Sequence, residues 1–282
     1  MRRKADAAAR TYLGAAGLEQ EVGRRMLERL DYVKLAPGRI LDAGSGPSPQ
    51  SAQLAQRYAQ AQLVSLDFSL PMLRAWQPPG LLRRITSRGS RAAVCAEMGH
   101  LPLQARSVSM VWSNMALHYA ADLPAVFGEF NRVLEVEGLL MFSTLGPDTL
   151  KELRSAFPAS GGVPRVHGFI DMHDLGDMLV SAGFAAPVMD TETITLTYAG
   201  VDAMTADLRA TGQTSSLAGR SRGLLTPRRW QQVRGALGNA MREGRLPATI
   251  EVVYGHAWKG EPRRTSEGHA IVSFGTDPRP RR

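Results

Sequence analysis

The run Leu41-Asp42-Ala43-Gly44-Ser45-Gly46-Pro47-Ser48 constrains this chain more than any other feature. It follows a short apolar segment, RILDA at 39–43, and leads into residues with helical spacing from about Gln50. Strand, glycine turn and helix in that order form the opening unit of a doubly wound α/β sheet. The glycines let the backbone turn sharply and approach a ligand where a Cβ would otherwise stand, and the helix start offers unpaired N–H groups. A lone G-x-G is weak evidence. Asp67, however, ends the next apolar segment, at the point where a carboxylate can accept both hydroxyls of a ribose. The two features together point to a nucleoside ligand, with a helix cap as the plain structural alternative for Asp67.

From Arg39 onward, short apolar runs alternate with amphipathic stretches, the pattern of a parallel sheet covered by helices on both faces. The expected strands are 39–43, 61–67, 92–96, 109–114 and 139–144, and two further strands fall at 191–198 and 248–258. Asp122 is placed to cap a helix with Pro124 in its first turn and Val126, Phe127, Phe130, Val133 and Leu134 on one face. Thr149 and Glu152 have capping-box spacing, and Asp171 and Gly183 bracket another helix. The residues between the last two strands read as a helical insertion. A chain of 282 residues could hold two average domains, but a doubly wound enzyme of this length is commonly one. The expected division is a single domain over 1–260: an N-terminal helical lid (1–37), a nucleoside-binding core (38–198), an insertion over the site (199–247) and a last strand (248–259). A flexible tail (261–282) follows.

Composition excludes more than it selects. An apolar fraction of 44% with 21% charged residues is that of a folded globular protein, and the excess of 34 Lys plus Arg over 26 Asp plus Glu biases the surface toward acidic partners. No stretch of eighteen apolar residues occurs, and MRRKADAAAR lacks the apolar core of a signal peptide, so the cytoplasm is the expected location. The single cysteine, Cys95, lies in an apolar run and reads as a buried structural thiol. The histidines lack zinc-ligand spacing, so no metal is expected.

Pro47 removes an N–H and Ser48 stands where a third glycine would cradle a pyrophosphate, which disfavours a dinucleotide. The arrangement D-x-G-x-G instead resembles motif I of class I methyltransferases, a Rossmann-like fold whose sheet has seven strands, the last antiparallel. That resemblance implies S-adenosylmethionine as cofactor and S-adenosylhomocysteine as product. Asp42, Gly44 and Gly46 would hold its methionine end, with Asp67 and Phe68 at the ribose. CAEMGHLPL would supply Glu97 and Met98 near the adenine, and WSNMALHY resembles the segment flooring the acceptor site. The structural alternatives are a solvated strand end for Glu97 and a turn former for Asn114.

FSTLGPDTLKELR (142–154), HGFIDMHDLGDMLVSAGFAAPVMD (167–190), RATGQT (209–214) and GRLPATIEVVYGHAWK (244–259) are more specific. They resemble the malonyl-[acyl-carrier protein] O-methyltransferases of biotin synthesis, over about Tyr12 to Lys259. Departures from that pattern are Leu13 in place of Asp, Ser48 in place of Gly, Glu97 in place of Asp, and VEG at 136–138 in place of P-G-G. The resemblance implies methyl transfer to the free carboxylate of a malonyl group on acyl carrier protein. Such a carboxylate has a pKa of about 4 and is already an anion at neutral pH, so no general base is required. Tyr12, Asn114 and His118 are the candidates for positioning the reactants, packing being the alternative for Tyr12 and His118. The insertion holds eight arginines against three acids, and Arg220, Arg222, Arg228 and Arg229 are the expected docking surface for an acidic carrier protein. The rivals are a methyltransferase of a free small acid, a cofactor-binding relative with little turnover, and a nucleic-acid methyltransferase. Against the last, SNMAL lacks the N-P-P-Y type sequence that grips a flipped base; neither nucleic acid nor membrane is an expected partner.

Overall fold

The computed structural model describes residues 1–47, 50–75, 91–157, 166–214 and 226–261. The strands are β1 (Arg39–Ala43), β2 (Gln62–Asp67), β3 (Arg91–Cys95), β4 (Val108–Ser113), β5 (Leu134–Leu145), β6 (Phe184–Tyr198) and β7 (Leu246–Lys259). They form one sheet in the order β3-β2-β1-β4-β5-β7-β6. β1 pairs in parallel with β2 and β4, whereas β7 runs antiparallel to both β5 and β6. The strand order reverses between β1 and β4, so a crevice opens at their carboxyl ends, where ligands of open α/β sheets bind.

Helices cover both faces. The first three are α1 (Arg2–Ala8), α2 (Tyr12–Ala15) and α3 (Gly17–Arg29), followed by α4 (Gln50–Arg57) and α5 (Leu70–Ala75). Then come α6 (Leu123–Val133), α7 (Lys151–Ala156), α8 (Met172–Ser181), α9 (Val201–Ala210) and α10 (Pro227–Asn239). On one face Phe127, Phe130 and Val133 of α6, with Leu175 and Leu179 of α8, pack against Leu41, Val111, Leu140 and Phe142. On the other, Val22 and Met26 of α3 and Leu54 of α4 meet Ile40, Leu63, Met110 and Trp112. Successive strand residues thus serve opposite layers, which is why the apolar residues of β1 and β4 (Ile40, Leu41 and Ala43; Val108, Met110, Val111 and Trp112) fall on both faces and do not alternate with polar ones. The insertion carries its own small core, Val201, Met204, Val233 and Leu237, seated on Leu246 and Ala248 at the start of β7. Among the described residues no helix is long and apolar enough to cross a membrane.

Caps read from the sequence are present at two helices. Asp122 accepts from the Ala125 N–H at 3.0 Å, and Asp171 accepts from the His173 N–H at 2.8 Å, with Gly183 at φ +88° beyond that helix. The expected capping box of Thr149 and Glu152 does not form. Leu150, at φ +54°, takes the N-cap position of α7, while the Glu152 carboxylate accepts from the Thr249 N–H at 3.0 Å and Thr149 Oγ1 donates to the Glu251 carbonyl. Both side chains therefore stitch α7 to β7. Leu134 opens β5 and does not belong to the preceding helix. β6 begins seven residues earlier than 191, because a register shift between Ala185 and Val188 admits Pro187 into an edge strand. Cys95 is exposed: β3 is the other edge of the sheet, and its apolar composition does not bury it. Ser48, Arg220, Arg222, the Arg-rich residues 81–90 and the tail from 262 lie outside the described residues.

Candidate functional site

The carboxyl ends of β1, β2 and β4 converge on a cavity of about 370 Å³. Its floor is the turn after β1. The Gly44 and Ser45 N–H groups both donate to the Leu66 carbonyl, at 2.7 and 3.0 Å, tying that turn to the end of β2. Gly44 sits at φ +73°, and a Cβ there would stand 2.3 Å from the Ala116 Cβ, so only glycine fits. The Gly46 N–H donates to Asp67 Oδ2 at 2.9 Å, and the Ser69 N–H donates to Asp67 Oδ1 at 2.7 Å. Asp67 is buried, and burial raises its carboxyl pKa against those two hydrogen bonds.

Asp42 does not line this cavity. It is buried beneath the turn, where Ser51 Oγ of α4 donates to its Oδ2. Burial, opposed by Ser51 and reinforced by Asp67, pushes its carboxyl pKa up to about 7. Phe68 and Met98 line the main cavity, as does Ala96. Glu97 projects away, exposed, with Arg2 3.5 Å from its carboxylate. The structure thus brings together five of the seven residues expected at the cofactor, with Asp42 one layer below and Glu97 at the rim.

The three expected positioning residues all line the cavity. Asn114 Nδ2 donates to the Glu19 carbonyl at 2.8 Å, and its Oδ1 accepts from Ser143 Oγ at 2.8 Å, so its orientation is held from α3 and β5. His118 is half-buried, with both ring nitrogens shielded and neither hydrogen-bonded; its ring lies 4.2 Å from Tyr119 and 6.1 Å from Phe169. Burial, with His167 adding to it, lowers its pKa to about 3, which favours the neutral imidazole. Burial together with Glu19, Tyr119 and Asp67 raises the Tyr12 phenol above its ordinary range.

The roof comes from the insertion: Leu208, Arg209, Gly212, Gln213 and Trp230 close the cavity opposite the turn. The N-terminal helices are sewn to it. Lys4 Nζ donates to the Thr214 carbonyl at 3.1 Å, Thr11 Oγ1 to the Ala210 carbonyl at 2.8 Å, and Gln213 Nε2 to Glu19 Oε1 at 2.6 Å. Beyond the cavity, Arg228 and Arg229 are exposed in the first turn of α10, whereas Arg234 is paired with Asp202 at 2.6 Å. Among the described residues, no group of three or more His, Cys, Asp or Glu is placed to hold a metal.

Sequence reasoning missed Glu19, Gln213 and Ser69. Glu19 carried a signal, for it falls at the i, i+3, i+4, i+7 positions shared with Val22, Gly23 and Met26, an acid on an apolar helix face.

Residues 41–142 match the family described as Methyltransferase domain. The malonyl-[acyl-carrier protein] O-methyltransferase of Laribacter hongkongensis is 51% identical over 276 residues, covering 95% of this chain and 93% of its own. The protein of the same description from Gallionella capsiferriformans is 50% identical over 273 residues, covering 96% and 94%. Among solved structures, the YcgJ protein of Bacillus subtilis superposes with a TM-score of 0.58 at 14% identity, over 84% of this chain and 98% of that one. At such identity the likeness is one of fold.

Proposed function

The chain belongs to the malonyl-[acyl-carrier protein] O-methyltransferase family, and on that premise we propose that it methylates the free carboxylate of a malonyl thioester carried on acyl carrier protein. The observation that carries this reading is the single chamber that runs from the Gly44–Gly46 turn and Asp67 to the insertion at Arg209 and Trp230. Cofactor and acceptor can meet there away from water.

The residues present fit S-adenosylmethionine. Gly46 lines the chamber with open space where a Cβ would stand, Asp67 offers a buried carboxylate for ribose hydroxyls, and Met98 and Phe68 offer apolar walls for a base. When bound, the cofactor supplies a methyl group on a positively charged sulfur. The acceptor is an anion from the start, because its pKa is about 4, so no side chain has to remove a proton. The lowered pKa of His118 makes it a weak base, which matches that requirement. Opposite charges vanish as the reaction proceeds, so exclusion of water and alignment of the reactants lower the barrier. In this reading Tyr12, Asn114 and His118 position the acceptor, residues 1–37 form a lid, and Arg209 faces the carboxylate. The product ester masks one end of the diacid, which suits elongation toward biotin.

A free small acid as acceptor is not favoured, because the relatives that cover nearly the whole chain carry the malonyl-carrier description. Mass spectrometry of malonyl-acyl carrier protein after incubation with the protein and cofactor tests the proposal. A gain of one methyl group is expected; no gain, with free diacids methylated instead, overturns it.

A further inference from the structure

We propose that Glu19 is the counter-ion for the α-ammonium group of the bound cofactor, an inference that rests on the reading of the Gly44–Gly46 turn as its amino-acid subsite. A small cavity adjoins the main chamber and shares Tyr12, Gly44 and Asn114 with it. Glu19 and Asp42 both line that annex. Glu19 is 6% exposed, and its Oε2 has no hydrogen-bond partner. A buried carboxylate oxygen without a donor is costly, and native proteins keep such groups where a ligand completes them.

The rest of Glu19 is fixed. Its Oε1 accepts from Gln213 Nε2 at 2.6 Å, and its carbonyl accepts from Asn114 Nδ2 at 2.8 Å. The unpaired oxygen is therefore presented in a set direction at no further ordering cost. Among the described residues no cationic side chain pairs with Glu19. The annex already contains a second carboxyl, Asp42, so its chemistry selects a compact cation with several donors. A primary ammonium, with three, answers that description. Burial holds the Glu19 carboxyl up to about 7, so an arriving cation would draw it into the charged form.

The arrangement also links the two halves of the reaction. Gln213 belongs to the roof over the acceptor, so the carboxylate that senses the cofactor is bonded to the element that closes on the substrate.

Calorimetry on the full chain tests the assignment with two probes: S-adenosylhomocysteine, and its deaminated analogue, which keeps the carboxylate and the nucleoside. Glu19→Gln is expected to weaken S-adenosylhomocysteine about tenfold or more while leaving the deaminated analogue within about twofold of the parent. Glu19→Asp, which withdraws the oxygen by one methylene, should show the same selectivity and guards against a misfolded first variant. Equal losses for both probes would make Glu19 a prop of the pocket wall and overturn the proposal, as would no loss for either. If the parent protein binds neither nucleoside, the cofactor reading itself fails and the proposal with it.

Discussion

Gly46 and Asp67 are joined by a 2.9 Å hydrogen bond from the backbone N–H of the turn to carboxylate Oδ2, which draws the tips of β1 and β2 together at the floor of the chamber. Ser69 holds the other oxygen, so Asp67 stands oriented before any ligand arrives.

From this follows an expectation for Asp67→Ala. Loss of charge-assisted hydrogen bonds to two ribose hydroxyls should weaken S-adenosylhomocysteine about a hundredfold or more, since such bonds are worth about 1.5–3 kcal/mol each. Stability should fall by about 1–3 kcal/mol, because Asp67→Ala leaves the half-buried Gly46 N–H and the fully buried Ser69 N–H without their partner. Titration calorimetry beside urea unfolding separates the two effects; unchanged affinity would remove Asp67 from the cofactor site.

Gly44→Ala is a test of the turn itself. The residue would need φ +73° and would press its Cβ against Ala116, 2.3 Å away. Left-handed strain alone costs about 1–2 kcal/mol and the overlap adds to it, so a loss of about 2–4 kcal/mol is expected. Adding Ala116→Gly should restore the part due to overlap and leave the conformational part. Full recovery in the double variant would show that backbone strain plays no role.

Buried carboxyls give the protein an unusual pH dependence. Glu19 and Asp42 are both pushed up to about 7, Glu19 by burial with Asp207 adding and Gln213 opposing, Asp42 by burial with Asp67 adding and Ser51 opposing. Unfolded, they titrate at about 4. Between those values the folded state binds more protons than the unfolded one, so their contribution is full below about pH 4 and is lost as pH rises toward 7. From pH 5 to pH 8 the Glu19 share is about 2–3 kcal/mol. Thermal melts of the ligand-free protein should therefore fall more steeply over this range than those of Glu19→Gln. Parallel curves would mean that Glu19 titrates normally.

Much of the fold was legible because its signals are local. Strand β1 follows from an apolar run ended by a glycine turn, and the Asp122 and Asp171 caps depend on residues two or three positions away. What escaped depends on partners distant in sequence. Glu152 has capping-box spacing, yet its carboxylate goes to Thr249, ninety-seven residues on. Apolar composition suggested a buried Cys95, but burial depends on a strand's place in the sheet, and β3 is an edge. The floor of the chamber, where we propose that the cofactor binds, was readable from the Gly44–Gly46 turn and Asp67, whereas Asp42 of the same run lies beneath it. Glu19 was not, because its meaning appears only when α3 is laid over the turn and Gln213 descends from the insertion.

The exposed start of α10 gives the last expectation. Arg228 and Arg229 form no ion pair with another described residue, in contrast to Arg234, which is bound to Asp202. They immediately precede Trp230, which lines the chamber. A carrier protein delivering its acyl arm past Trp230 would bring its surface against these two guanidinium groups, and acyl carrier proteins are acidic. Reversing both charges, Arg228→Glu with Arg229→Glu, should raise KM for malonyl-acyl carrier protein about tenfold at low salt, with a smaller effect at high salt as screening shortens the reach of the field. Cofactor affinity and the rate with a small malonyl thioester should not change, because neither depends on the outer face of α10. If KM rises equally for the small thioester, the substitutions have disturbed the roof and the docking face lies elsewhere.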